Sequence, residues 1–370
     1  MKKAVVVALL LAMFAGGLIG LWQTIRFLAG GPVPTGQGEE RIFEVLPGEG
    51  FYRVASRVEQ EGLVTSALKF KILAKLSGQA DSLRVGEYAV RTDLRPIELL
   101  SILSSGKSIE RQITFPEGYN IYDIALAVEQ KGLGKKEELI RLARDPRIVE
   151  KLLGEKLPSL EGYLFPETYK YTKYTSLESL LKSMVERFKE RYATLGYGPN
   201  EPMTRHQIVT MASVIEKETG APEERPLISS VFHNRLKRGM RLQSDPTILY
   251  GIWSETGEWK QNITREDITR HTPYNTYTVA ALPVGPISNP GLEALASVGQ
   301  PATSEFLFFV SKNDGTHTFS ENFAQHNSAV QKFQIDRKAR EGKSWRDLNK
   351  SEKSTAKRKA AAPVKPAVKK

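Results

Sequence analysis

Cysteine is absent from the 370 residues, which removes disulfides, thiolate nucleophiles and every cysteine-ligated metal centre. Histidine is scarce: His206, His233, His271, His317 and His326 are the whole set, and no two form an H-x-x-x-H pair. No metal site and no cofactor are therefore expected. There is no G-x-S-x-G elbow and no G-x-G-x-x-G loop, so serine-hydrolase and dinucleotide readings have no support. SSGKS at 104–108 resembles the end of a phosphate loop, but Ser101 stands where that loop needs its first glycine. An excess of positive charge is also missing from the body of the chain, despite a formal net charge of +11. Residues 337–370 carry thirteen Lys/Arg against three Asp/Glu, while residues 4–336 hold 38 basic and 39 acidic side chains. A neutral body gives no case for nucleic acid as a partner.

What is present begins with an uncharged run, AVVVALLLAMFAGGLIGLWQTI, at 4–25. At ~1.5 Å per residue it spans about 33 Å, enough for a ~30 Å hydrocarbon core. Lys2 and Lys3 precede it, which predicts a single-pass anchor with the N-terminus in the cytoplasm and the remainder outside. A cleaved signal peptide is the rival reading, but its apolar region is usually shorter and no clean A-x-A site follows here. A Gly/Pro-rich linker covers 26–41.

Periodicity predicts a small strand–helix–helix–strand unit with an added helix at 42–108. Its elements are a strand at 42–45, helices at 51–61 and 66–76, a strand at 84–90 and a helix at 94–103. A larger domain follows at 109–340, with a strand at 112–115, helices at 121–130, 136–143, 177–192 and 205–218, Pro-rich loops, a strand at 305–311 and a helix at 322–340. Helices and strands alternate without a βαβ rhythm, so the fold class is α+β. Residues 343–370, rich in Lys, Ala, Ser and Pro, are expected to be a disordered basic tail.

The most informative segment is TRHQIVTMASVIEKETG at 204–220. Thr204 and Gln207 make a capping box, and Gly220 is placed to end the helix. Glu216 shares a face with Val209, Ala212 and Ser213, with no Lys or Arg on that stripe, and it sits in the last turn, where the helix dipole disfavours an anion. Both effects favour the protonated acid, the form a general acid needs. An ordinary surface glutamate is the competing reading, and Glu218 is the local competitor. Downstream, 240–247 (MRLQSDPT), 273–277 (PYNTY) and the stiff loop 282–291 (LPVGPISNPG) gather amide, hydroxyl and aromatic groups suited to sugars, although each is also ordinary turn chemistry.

ASVIEKET (212–219), VFHNRL (231–236), GMRLQSDPTILYG (239–251), YNTYTVAALPVGPISNPG (274–291) and HTFSENFAQHN (317–327), together with EGYLFPETY (161–169), resemble the YceG-like (MltG) endolytic murein transglycosylases over about residues 42–335. The resemblance implies one membrane anchor, a LysM-like subdomain at 42–108 and a YceG-like catalytic domain at 109–340. It also implies location at the bacterial cytoplasmic (inner) membrane with the catalytic domain outside. The implied reaction cleaves the β-1,4 bond between N-acetylmuramic acid and N-acetylglucosamine within glycan strands, leaving 1,6-anhydro ends, with a role in terminating or processing nascent strands. The first glutamate of the E-K-E-T motif, Glu216, is the implied catalytic acid and then base, with Glu218 in support. Gln243, Ser244, Asp245, Tyr274, Asn275 and Thr276 are the candidate sugar contacts. Peptidoglycan is the implied partner, with the membrane and cell-wall synthesis proteins as further partners. A hydrolytic muramidase and a non-catalytic LysM-type wall-binding protein are the alternatives.

Overall fold

The structure, a computed structural model, describes residues 2–29, 32–33, 36–199 and 201–336, with side chains in the first helix given for 12–28. The expected basic tail at 343–370 lies outside the described residues. The chain divides into two units. The first runs to Ile113 and takes back Tyr169–Ser176; the second holds Thr114–Thr168 and everything from Leu177.

The first unit starts with helix α1 (Lys2–Ala29), followed by strand β1 (Glu40–Val45), helices α2 (Phe51–Gln60) and α3 (Ala67–Leu76), strand β2 (Gly86–Arg91), helix α4 (Pro96–Ser105) and strand β3 (Arg111–Thr114). β1 and β2 pair antiparallel, with Phe43 opposite Tyr88 and Val45 opposite Gly86. Phe43, Tyr88, Val54, Val58, Phe70 and Leu100 fill the space between sheet and helices. This matches the strand–helix–helix–strand order expected from periodicity. Among the described residues no helix is long and apolar enough to cross a membrane. The expected span at 4–25 falls partly on residues whose side chains are not described.

The second unit contains α5 (Ile121–Gln130), α6 (Lys136–Ala143) and α7 (Pro146–Leu153); next in the chain is β4 (Thr168–Tyr171), all but its first residue in the segment that returns to the first unit. It continues with α8 (Leu177–Ala193), α9 (Arg205–Glu218), α10 (Arg225–Lys237), α11 (Asp245–Thr256), α12 (Arg265–Thr269), α13 (Leu292–Gly299), the hairpin β5 (Phe308–Ser311) and β6 (His317–Ser320), and α14 (Phe323–Val330). α9 is its axis. Every residue from Ile208 to Ile215 is buried, against α10, α11 and α13.

α10, α11 and α13 occupy the stretch expected to be Pro-rich loops. Pro226 and Pro246 sit in the first turns of α10 and α11, where a missing N–H costs nothing. Ile228 to Phe232 are all buried in α10. A helix covered all round shows no amphipathic stripe to read. The helix expected at 322–340 is shorter: α14 ends at Val330 and a π turn follows over Gln331–Ile335.

Candidate active site

The Thr204 capping box forms as expected: the Thr204 side chain accepts from Gln207 N, and the Gln207 side chain accepts from Thr204 N at 2.8 Å. At the other end of α9, Glu216 and Glu218 are two residues apart. A helix turns 100° per residue, so their side chains leave in nearly opposite directions.

Glu216 points into structure. Its Oε1 accepts from Arg225 Nη2 at 2.9 Å and its Oε2 from Gly291 N at 3.0 Å. Its side chain is 5% exposed. Arg225, itself buried, also bonds Glu117 at 3.2 Å and Glu293 at 2.6 Å. The expected apolar flank is therefore absent. The stripe along α9 carries no cation, but α10 supplies one from its first position.

Glu218 faces a cleft of about 310 Å³ lined by Glu218, Arg235, Gln243, Asp245, Tyr277, Phe308, Phe309, Phe323 and His326. One hydroxyl, Ser244 Oγ, donates to its Oε1. Loss of water raises its pKa to about 7, and the nearby Asp245 adds to the rise against the opposing Ser244 hydrogen bond. Beside it the Tyr277 hydroxyl donates to Asp245 Oδ1 at 2.6 Å. The other wall is aromatic. Phe323 is 67% exposed, edge-on to Phe308 at 6.1 Å, and His326 stacks on Phe308 at 5.1 Å. Arg235 is held by the carbonyls of Leu307 (2.7 Å) and Leu242 (2.5 Å), with its guanidinium 5.4 Å from the centre of the Phe308 ring. Burial lowers the pKa of His326. Among the described residues no three His, Asp or Glu are grouped to hold a metal.

The sequence pattern of the YceG-like family matches residues 43–332, over three quarters of the chain. The chain belongs to the YceG-like family. A Bacillus subtilis (strain 168) protein called endolytic murein transglycosylase is 31% identical over 297 residues, which cover 76% of this chain and 81% of that protein. A Streptococcus pneumoniae (strain D39) protein of the same name is 31% identical over 366 residues, 89% of this chain but 65% of its own length. The crystal structure of a YceG-like protein from Listeria monocytogenes aligns with a TM-score of 0.51 and 29% identity, covering 79% of this chain and all of that one.

In this YceG-like chain the six expected sugar contacts separate into three roles. Gln243 and Asp245 line the cleft, and Ser244 touches Glu218. Ser244 stands at the N-cap of α11 yet makes no side-chain cap bond, since its hydroxyl is given to Glu218. Gln243 adopts φ 51°, a left-handed conformation costing a non-glycine residue on the order of 1 kcal/mol. That twist turns the chain so that neighbours 243 and 245 both reach the cleft.

Tyr274, Asn275 and Thr276 do not line this cleft. Tyr274 packs edge-on against Tyr250 at 4.8 Å. Asn275 is buried, and its Nδ2 donates to the carbonyls of Asp267, Ile268 and Arg270, closing the end of α12. Thr276, fully buried, receives Ser244 N at 2.9 Å and lies 2.9 Å from Thr247 Oγ1. Short polar residues in a loop sequence look alike whether they serve a ligand or the backbone. The cleft residues that sequence reasoning missed are Tyr277, Arg235, Phe308, Phe309, Phe323 and His326. Phe323 and His326 did lie in the quoted HTFSENFAQHN segment, but nothing local marked them as facing an acid far upstream.

Two other features lack what a centre of acid–base chemistry needs. A larger cleft of about 510 Å³, lined by residues including His206, Gln207, His233 and Pro283, contains no carboxylate. Glu161, in the EGYLFPETY segment, is also raised to about 7 by burial. It accepts from Ile121 N, Tyr250 and Asn289, so its oxygens are committed to the start of α5.

Proposed function

We propose that this YceG-like chain is a peptidoglycan lytic transglycosylase, a lyase that cuts the β-1,4 bond from N-acetylmuramic acid to N-acetylglucosamine inside glycan strands, with Glu218 as its acid and base. The carrying observation is a carboxyl group that opens onto a cleft and keeps its proton to about pH 7. Glu218 would protonate the glycosidic oxygen as the bond to the anomeric carbon breaks. It would then take the proton of the muramic C6 hydroxyl as that oxygen bonds the same carbon. The product is a 1,6-anhydro end, the proton returns to its starting atom, and no water is consumed. The intramolecular nucleophile has already lost its positional entropy, so one carboxyl suffices. Exposed Phe323 beside Phe308 offers a face for pyranose C–H groups, and Gln243 and Asp245 offer polar contacts to ring substituents. The relatives named endolytic murein transglycosylase support this reading.

Sequence reasoning favoured Glu216 for the acid. Its ion pair with Arg225 and its closure from solvent argue instead for a part in fixing the end of α9. A hydrolytic muramidase is the second reading, because Asp245 places another carboxyl group in the same cleft and hydrolysis needs a partner for water. Mass spectrometry of digested sacculi decides between them. Anhydro ends are expected; products heavier by one water would make Asp245 the base of a hydrolase.

The apolar run at 4–25 behind Lys2 and Lys3 supports a single-pass anchor in the bacterial inner membrane, with the N-terminus inside and both units outside. The β1–α2–α3–β2 unit supports a LysM-like role in holding glycan, and cell-wall synthesis proteins are the natural company for such a location.

The pH dependence follows from Glu218. Its acid form starts the reaction, so kcat/KM should fall as pH rises through about 7. Stability should move the same way. The native state keeps a proton that the unfolded chain, at the ordinary value of 4.5, has already released, so stability declines between pH 4.5 and about 7. Glu161 adds to that slope. A pH–rate profile with its basic limb at or below pH 5 would contradict the assignment.

A further inference from the structure

α3 carries its apolar residues on two sides. Ala67, Phe70 and Ala74 enter the core of the first unit. Leu68, Ile72 and Leu76, spaced by four along the opposite side, are 69%, 52% and 83% exposed. Three large aliphatic side chains in one open row are costly to leave in water and call for a covering partner. The polar residues of the same helix are Lys69, Lys71 and Lys75, with no acidic residue among its ten.

The row does not stop at α3. Ile72, Leu73 and Leu76 share a shallow cavity of about 130 Å³ with Thr24, Phe27 and Leu28 of α1. Phe27 is buried in the core of the unit, and Lys69 Nζ donates to Gln23 O at 3.3 Å. From this junction the exposed surface of α1 continues through Trp22, Ile25, Leu18 and Ile19. On the neighbouring helix α2, exposed Tyr52 lies under Lys71, 5.6 Å from Nζ to the ring centre.

We propose that α3 lies on an anionic lipid surface, with Leu68, Ile72 and Leu76 in the headgroup–acyl boundary and its lysines among the lipid phosphates. The inference rests on the membrane anchor proposed for α1. Aliphatic residues flanked by lysines with no acid are the chemistry of interfacial helices, in which the lysine stems add apolar contact and the ammonium groups reach the headgroups. Continuity with the apolar surface of α1 gives the row a place where lipid begins. A second copy of the chain fits less well, since facing α3 helices would set three lysines against three. The function of the contact would be to hold the glycan-binding unit down at the membrane instead of letting it swing on a tether.

The absence of native cysteine makes the test clean. Full-length chain carrying Ile72→Cys, or separately Leu18→Cys, is labelled with an environment-sensitive fluorophore and reconstituted in vesicles of phosphatidylglycerol and phosphatidylcholine. Lipids spin-labelled near the headgroup are the quenchers. Emission at 72 is expected to fall by about half or more with quencher present. It should recover when Lys71→Glu and Lys75→Glu are added or phosphatidylglycerol is omitted. Quenching at 18 without quenching at 72 would overturn the inference and leave the anchor intact. Quenching at neither position would overturn both. Protection of 72 from aqueous iodide without lipid quenching would assign the row to a second copy and reject the lipid contact.

Discussion

Glu218→Gln is expected to lower glycan cleavage by about 10²–10⁴-fold, the usual worth of a positioned general acid and base. Glutamine keeps the size of the side chain and can still accept from Ser244, so folding should survive. Glu216→Gln should cost at most about tenfold, because it touches no residue lining the Glu218 cleft and Arg225 retains Glu117 and Glu293. Rates on purified sacculi, normalised to folded protein by circular dichroism, give the comparison. Complete loss in Glu216→Gln with activity kept in Glu218→Gln would return the acid to Glu216 and empty the cleft of its chemistry.

The second large effect is on stability. Arg225→Met should destabilise the second unit by about 3–5 kcal/mol, since it leaves Glu216 nearly sealed from water beside two other carboxylates. Methionine approximates the arginine stem in length, so lost packing contributes little. Adding Glu216→Gln removes the stranded charge and should restore part of the loss. Urea unfolding of the three variants measures both steps. A single-mutant cost below about 1 kcal/mol would mean that the pair is solvated like an ordinary surface bridge.

The contrast between these two glutamates shows how far the sequence could be read. The limits of α9 were legible because they are local: Thr204 and Gln207 lie one turn apart and cap each other. The grounds for proposing Glu218 over Glu216 were not. They depend on Arg225 arriving from α10 and on Ser244 arriving from the start of α11, and neither side chain belongs to the helix being read. The strand–helix–helix–strand unit was legible from period-two and period-3.6 patterns. α10, buried all round, gave no such pattern. The loop polarity of Asn275 and Thr276 was legible but its use was not, since a buried loop must satisfy its own backbone groups and both side chains bond backbone atoms.

The aromatic wall of the cleft has a consequence in time. Phe308, Phe309, Phe323 and His326 come from β5 and α14, far downstream of Glu218. With the topology proposed above, a chain threaded outward from its N-terminus would expose the glutamate long before that wall exists. Until the hairpin and α14 dock, the carboxyl group stands in water, where a glutamate gives up its proton at ordinary acidity and cannot lend it to a sugar. Unfinished or prematurely terminated chains would therefore be inert. Under the proposed function, the capacity to cut glycan would appear only once translocation is nearly done, a form of latency that needs no inhibitor.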